Sequence, residues 1–354
     1  MEARLNWLVI GTGAIGTYIG GSLLLHGQKV VFVEPPPVDS ELRDNGLKLN
    51  INRQDYHILH PNVFSTLSAS LAFDSYDVVI IAMKSFDTQA AVDSIRPHST
   101  NFPAVLCLQN GVDNEPTLET VLGKNKVIAG TVTSAVRRRG AGDILLERLR
   151  GVGVAAGHPL SAAIVKALSE AHLNARLYKS PVAMKWSKML TNLMANASSA
   201  ILDMPAAEIL QHPGLYRVEI DQLREAMAVM HAQQIHTIDL PATPVRAFAC
   251  VVGYLPATLS RTLISRLAGK GRGLKMPSFH IDLHSGRGKS EVDYLNGAVV
   301  RFGEQFSVLT PVNQWLSQTL LSLTQGQMPI DQYSHNPDKF LQEIYSSAGS
   351  HRVE

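Results

Sequence analysis

Cysteine is scarce in this chain of 354 residues, and neither sign of charge is in excess. The two cysteines, Cys107 and Cys250, lie far apart, each among apolar neighbours. They read as two buried free thiols rather than as a disulfide or a metal site, which sets the expectation of a reducing, cytoplasmic location. Lys and Arg number 32 against 30 Asp and Glu, a formal net charge of +2. That balance argues against a protein built to neutralise many phosphates, so no nucleic-acid partner is expected. Long apolar runs are missing too. The longest candidate, 248–259, is interrupted by Pro256 and falls short of the ~18 residues that a membrane span needs, so no membrane partner is expected. The apolar run after Arg4 enters a glycine-rich turn at Gly11, which reads as a strand rather than a secretory leader. Internal repeats and low-complexity tracts are absent as well.

What is present is enough apolar material for two cores, 45% hydrophobic against 18% charged. Through residue 180, short apolar runs alternate with helical patterns. Residues 7–10, 30–33, 77–83, 104–108, 127–132 and 152–156 read as strands, with helices at 15–26 and 88–95. Several strands are apolar at nearly every position, as expected of strands covered on both faces. The pattern predicts an α/β Rossmann domain over 1–180, a doubly wound, mostly parallel sheet. From Pro181 strand signals become rare and helical periodicity takes over at 182–202, 216–234, 244–267 and 291–306. This predicts an all-α domain over 181–335, followed by a polar tail, 336–354, expected to be partly disordered. The basic triplet 137–139 reads as a solvated turn beside Gly140 and Gly142.

The first chemical motif is Gly11-Thr12-Gly13-Ala14-Ile15-Gly16, a G-x-G-x-x-G between a strand and a helix. The first glycine permits the tight turn, the second lets backbone amides approach a pyrophosphate, and the third lets the helix pack against the sheet. The helix N-terminus then offers free N–H groups to the phosphates. Glu34 ends the second strand, where an acidic residue hydrogen-bonds the adenine ribose and repels a 2′-phosphate. A solvated strand-end carboxylate is the plain alternative. Lys84 follows the 77–83 strand at the ligand-binding edge and could contact either ribose or phosphate.

The second motif is a row on the 182–202 helix. Val182, Trp186, Met189, Leu190, Leu193, Ala197 and Ile201 form its apolar face. Lys188, Asn192 and Asn196, spaced four apart, form a separate polar stripe. For any one of them a solvent-facing side is the simpler reading. Two asparagines inside a helix are poor choices on propensity alone. One ammonium with two carboxamides suits a cleft that orients an oxygen-rich ligand and protonates a carbonyl as hydride arrives. Downstream, Ser290 reads as an N-cap, placing Glu291 in a first turn, at the edge of a buried stripe of Val292, Leu295, Val299, Phe302 and Phe306.

The order and spacing of several motifs resemble the ketopantoate reductase (2-dehydropantoate 2-reductase) family over nearly the whole chain. They are the glycine loop; Val79-Ile80-Ile81-Ala82-Met83-Lys84; Gln109-Asn110-Gly111-Val112 with Glu115; Trp186-Ser187-Lys188 with Asn192 and Asn196; Pro277-Ser278 with Asp282; Gly286-Arg287; and Ser290-Glu291-Val292-Asp293 with Leu295-Asn296-Gly297. The resemblance implies reduction of a 2-oxo acid to its (R)-2-hydroxy acid by a nicotinamide cofactor, NADP(H) by family habit. It implies Lys188 as general acid and Asn192, Asn196 and Ser278 as substrate ligands. Asn110 would lie near nicotinamide and substrate, and Glu291 would complete the site beside the lysine.

Three features depart from the family pattern. Glu34-Pro35 stands where the family usually has an arginine for the 2′-phosphate, which makes NAD(H) a plausible cofactor. Gly288-Lys289 replaces a proline. The 236–276 stretch is longer than usual and carries Lys270, Arg272 and Lys275, which points to an altered substrate pocket. Three functions therefore stand: a ketopantoate-type reductase, an NADH-dependent dehydrogenase of another 2-oxo acid, and a dinucleotide-binding sensor without catalysis. The helical domain could also support a homodimer.

Overall fold

The computed structural model describes residues 4–261, 264 and 276–350. The chain divides into two compact units, Met1–Lys185 with Asp239–Thr243, and Trp186–Ile238 with Pro244–Glu354. The division thus falls inside the helix Pro181–Leu193 rather than ahead of it. The short segment at Asp239–Thr243 belongs to the first unit for a visible reason: the Thr133 hydroxyl donates to the Pro241 carbonyl at 3.0 Å.

Among its described residues the first unit contains twelve strands: β1 Asn6–Ile10, β2 Lys29–Val33, β3 Leu47–Ile51, β4 Gln54–Ile58, β5 Asn62–Phe64, β6 Val78–Ile81, β7 Ala104–Cys107, β8 Val127–Val132, β9 Ala135–Gly140, β10 Asp143–Arg148, β11 Val152–Ala155 and β12 Ala175–Tyr178. Eight form one sheet in the order β12-β11-β8-β7-β6-β1-β2-β5. Its pairings are parallel except β8 with β11. Strand order reverses on either side of β1, whose Leu8 pairs with Val31 of β2 and with Val79 of β6. Leu8, Val79 and Val105 are fully buried, which explains why these strands are apolar at successive positions.

A second sheet, β4-β3-β10-β9, was not anticipated. Its strands are short and mostly exposed; in β3 only Leu47 and Leu49 are buried. The Arg137–Arg139 triplet lies in β9 as an exposed strand, not in a turn. Cross-strand charge holds it: Arg137 pairs with Glu147 at 2.6 Å and Arg139 with Asp143 at 2.7 Å. The turn is instead at Gly142, with φ +63°.

The second unit is helical among its described residues: Ala197–Leu202, Ala206–Gln211, Pro213–Ala232, Val245–Tyr254, Ser278–Leu283, Val292–Gln305, Pro311–Thr324 and Pro337–Ser350. Trp186 meets Phe302 edge-on, centroids 5.4 Å apart. Of the tail expected to be partly disordered, Pro337–Ser350 is an ordered helix, and 351–354 lie outside the described residues. Phe340 and Ile344 are fully buried, and Phe340 packs edge-on against Trp315 at 5.1 Å. The polar sequence concealed this because only one face of that helix is apolar. Three more expectations fail on exposure: Val182, Phe306 and Cys250 are all exposed. The expected 244–267 helix stops at Tyr254, just ahead of Pro256, and its far end lies outside the described residues.

Polar groups buried in the second unit are chained together. The Asn296 amide donates to Gln222 and to Asn313, both at 3.0 Å. Glu225 accepts from the backbone N–H groups of Val312 and Asn313, at 2.9 Å each, at the start of the helix Pro311–Thr324. Burial pushes the Glu225 carboxyl up to about 7, against the pull of those donors.

Two stability predictions follow from these buried charges. Lys185 sits 2.8 Å from Glu115, with little of either side chain exposed. Glu115→Ala strands that ammonium, so a loss of about 3–5 kcal/mol is expected in denaturant unfolding, with Glu115→Leu/Lys185→Met recovering most of it. A folded-state pKa above the carboxyl's ordinary value means that Glu225 stabilises the fold at low pH, and that this contribution is lost as pH rises through about 7. Thermal midpoints are therefore expected to carry a component that falls between pH 5 and 8 and disappears in Glu225→Gln.

Candidate active site

Four chain segments leave the large sheet at the carboxyl ends of adjacent strands, and the expected nucleotide-binding residues ride on them. Gly11–Gly16 follow β1, Glu34 follows β2, Lys84 follows β6 and Asn110 follows β7. This is the edge where strand order reverses, the usual crevice for a dinucleotide. The glycines divide by function. Gly11 has φ +92°, a left-handed conformation costly for other residues, and its N–H donates to Val33 at 3.2 Å. A Cβ on Gly16 would stand 1.9 Å from the Gly11 carbonyl oxygen. A Cβ on Gly13 would meet nothing within 4 Å. The fold therefore places no steric demand for glycine at position 13, and the backbone there is open to an incoming group. The helix Ala14–Leu25 begins there without a side-chain cap, leaving its first N–H groups to a ligand.

Glu34 is drawn onto this loop. Its Oε2 accepts from the backbone N–H of Thr12 at 2.5 Å and from the Thr12 hydroxyl at 2.7 Å. Its negative charge is thereby held beside the glycine turn. The two other loops are tied to each other: the Gln109 amide donates to the Lys84 carbonyl at 3.2 Å, and the Ser85 hydroxyl donates to the Asn110 carbonyl at 2.8 Å. Beneath them, Lys185 donates to the Gln109 carbonyl at 2.6 Å. Burial, the largest influence on this ammonium, favours its neutral form, but the negative charge of Glu115 beside it outweighs that and raises the pKa. Sequence reading passed over Lys185. The available signal was its place on the apolar face, near Met189, where a lysine demands a buried partner. An open cavity of about 520 Å³ lies elsewhere, ahead of β6 and β7 beside Tyr76 and Phe102, at the opposite ends of those strands from the glycine loop. It contains none of these residues.

The second unit carries the polar row. The Lys188 ammonium donates to Asn192 Oδ1 at 2.8 Å. Asn196 donates to the Asn192 carbonyl at 3.1 Å and to the Ser278 hydroxyl at 3.3 Å. Its Oδ1 accepts from the backbone N–H of Phe279 at 3.1 Å. The row is thus continuous from Lys188 to Ser278, but the helix beneath it is not. The expected 182–202 helix breaks at Ala195, with φ +50°, and restarts at Ala197. A buried carboxylate stabilises the break: Glu219 accepts from the Ala195 N–H at 2.6 Å and from the Ser198 hydroxyl. Neither Glu219 nor the break was legible from periodicity, because the apolar spacing continues through it.

Glu291 is 2% exposed and is itself the N-cap of the helix Val292–Gln305; the expected cap, Ser290, lies one residue earlier. The Ser290 hydroxyl still accepts from the Val292 N–H at 3.2 Å. The Glu291 N–H donates to Asp282 at 3.4 Å, which links it to the helix that begins at Ser278. The structure therefore gathers the site residues into two sets: Gly11, Thr12, Gly13, Ala14, Ile15, Gly16, Glu34, Lys84 and Asn110 in the first unit, and Lys188, Asn192, Asn196, Ser278 and Glu291 in the second. Lys270, Arg272 and Lys275 lie outside the described residues. No helix among the described residues is long and apolar enough to cross a membrane.

Comparison with known proteins adds to this geometry. Residues 7–156 match the family described as Ketopantoate reductase PanE/ApbA, and residues 182–323 match the C-terminal part of the same family. A 2-dehydropantoate 2-reductase of Lactococcus lactis is 25% identical, over 89% of this chain and 96% of its own length. One from Archaeoglobus fulgidus is also 25% identical, over 90% and 96%. Among solved structures, a PanE/ApbA family ketopantoate reductase from Ralstonia eutropha superposes with a TM-score of 0.76 at 26% identity, covering 91% of this chain and 99% of that one. A D-mandelate dehydrogenase, 22% identical with a TM-score of 0.74 over 90% and 99%, shares the fold. With both family segments matched, and with a Rossmann sheet followed by a helical unit, the chain belongs to the ketopantoate reductase PanE/ApbA family and is a nicotinamide-dependent oxidoreductase of that type.

Proposed function

We propose that the protein reduces a 2-oxo acid to its (R)-2-hydroxy acid, with NADH preferred over NADPH as hydride donor. The observation that carries the first part is the unbroken row of Lys188, Asn192, Asn196 and Ser278. A reduced nicotinamide, when bound, would supply the hydride to C2 of the acid and be left oxidised. Lys188 donates a proton to the carbonyl oxygen, so the C=O bond becomes an alcohol. Asn192 orients the ammonium, and Asn196 and Ser278 bind the acid's oxygens. Glu291, by the family resemblance, is assigned as the carboxylate that completes the site beside the lysine. The glycine loop Gly11–Gly16 receives the pyrophosphate, with Lys84 and Asn110 on the neighbouring loops as further cofactor contacts.

The cofactor preference rests on Glu34. Its carboxylate is held at the loop by Thr12, where it can accept from a ribose hydroxyl and would repel a 2′-phosphate. The D-mandelate dehydrogenase of similar fold is described with NADH and anilino(oxo)acetate, while curated relatives are named 2-dehydropantoate 2-reductases. An aryl 2-oxo acid and 2-dehydropantoate therefore both belong in the substrate panel.

Purified protein is expected to oxidise NADH at 340 nm with at least one acid of a panel spanning 2-dehydropantoate to aryl 2-oxo acids; silence with every acid and both cofactors would overturn the assignment. Lys188→Ala is expected to lower kcat by about 10²–10⁴-fold while the thermal midpoint is retained. A variant with unimpaired kcat would remove the lysine from the mechanism. Glu34→Gln keeps an acceptor for Thr12 and discards the charge. It is expected to raise the efficiency with NADPH relative to NADH about tenfold, the scale of one charge-assisted contact.

A further inference from the structure

We propose that Asp203, His280 and His284, in the second unit, form a binding site for a divalent transition-metal ion of the zinc class, separate from the polar row. His280 lies on the helix Ser278–Leu283 and His284 is its C-cap residue, so the two imidazoles are one turn apart on one face. Their ring centroids are 4.2 Å apart. Asp203 ends the helix Ala197–Leu202 in the left-handed conformation, φ +51°, and its Oδ1 is 2.8 Å from His280 Nε2. One ligating atom from each of the three residues lies within 4.8 Å of the other two.

Three ligands at about 2.0–2.1 Å from a tetrahedral zinc ion stand roughly 3.4 Å from one another. The present cluster is more open than that, by an amount that side-chain rotation can close, since Asp203 and His284 are exposed. Two imidazole nitrogens and one carboxylate oxygen suit zinc, cobalt or nickel, and not magnesium or calcium, which take oxygen ligands. A fourth ligand is at hand in water or in His335, whose Nε2 is 4.0 Å from Asp203 Oδ2. His335 is anchored by its N–H donating to the Leu202 carbonyl at 2.8 Å. The His280–Asp203 hydrogen bond accounts for only two of the three groups; a shared ion accounts for His284 as well. An ion here joins the end of the Ala197–Leu202 helix to the Ser278–Leu283 helix.

The test uses full-length, tag-free protein stripped with a chelator and titrated with ZnCl₂, or with CoCl₂ to read the cobalt d–d absorption. Uptake of one ion per chain is expected, with a rise in thermal midpoint on adding zinc. Asp203→Asn and His280→Ala/His284→Ala are expected to weaken binding at least about tenfold, no less than the loss of an outer-shell partner costs. His284→Ala alone removes an exposed side chain, so its metal-free circular dichroism is expected to match the parent while its affinity also falls. No stoichiometric uptake by the parent protein at micromolar metal, or uptake undiminished in the double variant, would overturn the proposal and leave only a His–Asp hydrogen bond.

Discussion

The first unit is organised around one close backbone approach. The Gly11 carbonyl lies so near Gly16 that any side chain at 16 would collide with it. This contact sets where the helix Ala14–Leu25 starts and how closely it packs on β1 and β2. It also aims the uncapped N-terminus of that helix along the carboxyl edge of the sheet. Because Gly11 bonds to Val33, the same turn fixes the end of β2 and delivers Glu34 to Thr12. The edge proposed for the nucleotide is thus built almost wholly from backbone, with the Glu34 carboxylate at its β2 end.

The second unit relies on side chains instead. Its polar row needs Asn196 to turn toward Ser278, and a straight helix would not carry the row there. The break at Ala195 makes the turn, and the Glu219 carboxylate satisfies the N–H that the break releases. Burying a carboxylate this deeply is costly unless its oxygens are satisfied. Here a backbone N–H, the Ser198 hydroxyl and the Gln222 amide all donate to it. Lys185 and Glu115 solve a related problem in the first unit, where a buried ammonium ties the Gln109 carbonyl to a carboxylate next to the loop that bears Asn110.

The glycine loop, the central strands, Glu34 and the Lys188–Asn192–Asn196 spacing were all legible because each is local. A tight turn, a two-sided strand and a helical repeat leave their marks within a few consecutive residues. The contacts of Asn196 with Ser278, of Glu219 with Ala195 and of Lys185 with Glu115 join residues dozens of positions apart, and no periodicity encodes them. The second sheet escaped notice for a different reason: its strands are short and bury few side chains, so alternation is faint.

By itself, then, the sequence determined the class of fold, the strand-to-helix turn for a dinucleotide and the row of ammonium and carboxamides, since backbone sterics and helical spacing act at short range. The tertiary structure alone decided where the helix of the polar row breaks, which buried charges neutralise one another and that the polar C-terminal stretch folds back onto Trp315. Those outcomes depend on which distant groups exclude water together, and that becomes defined only when the chain has packed.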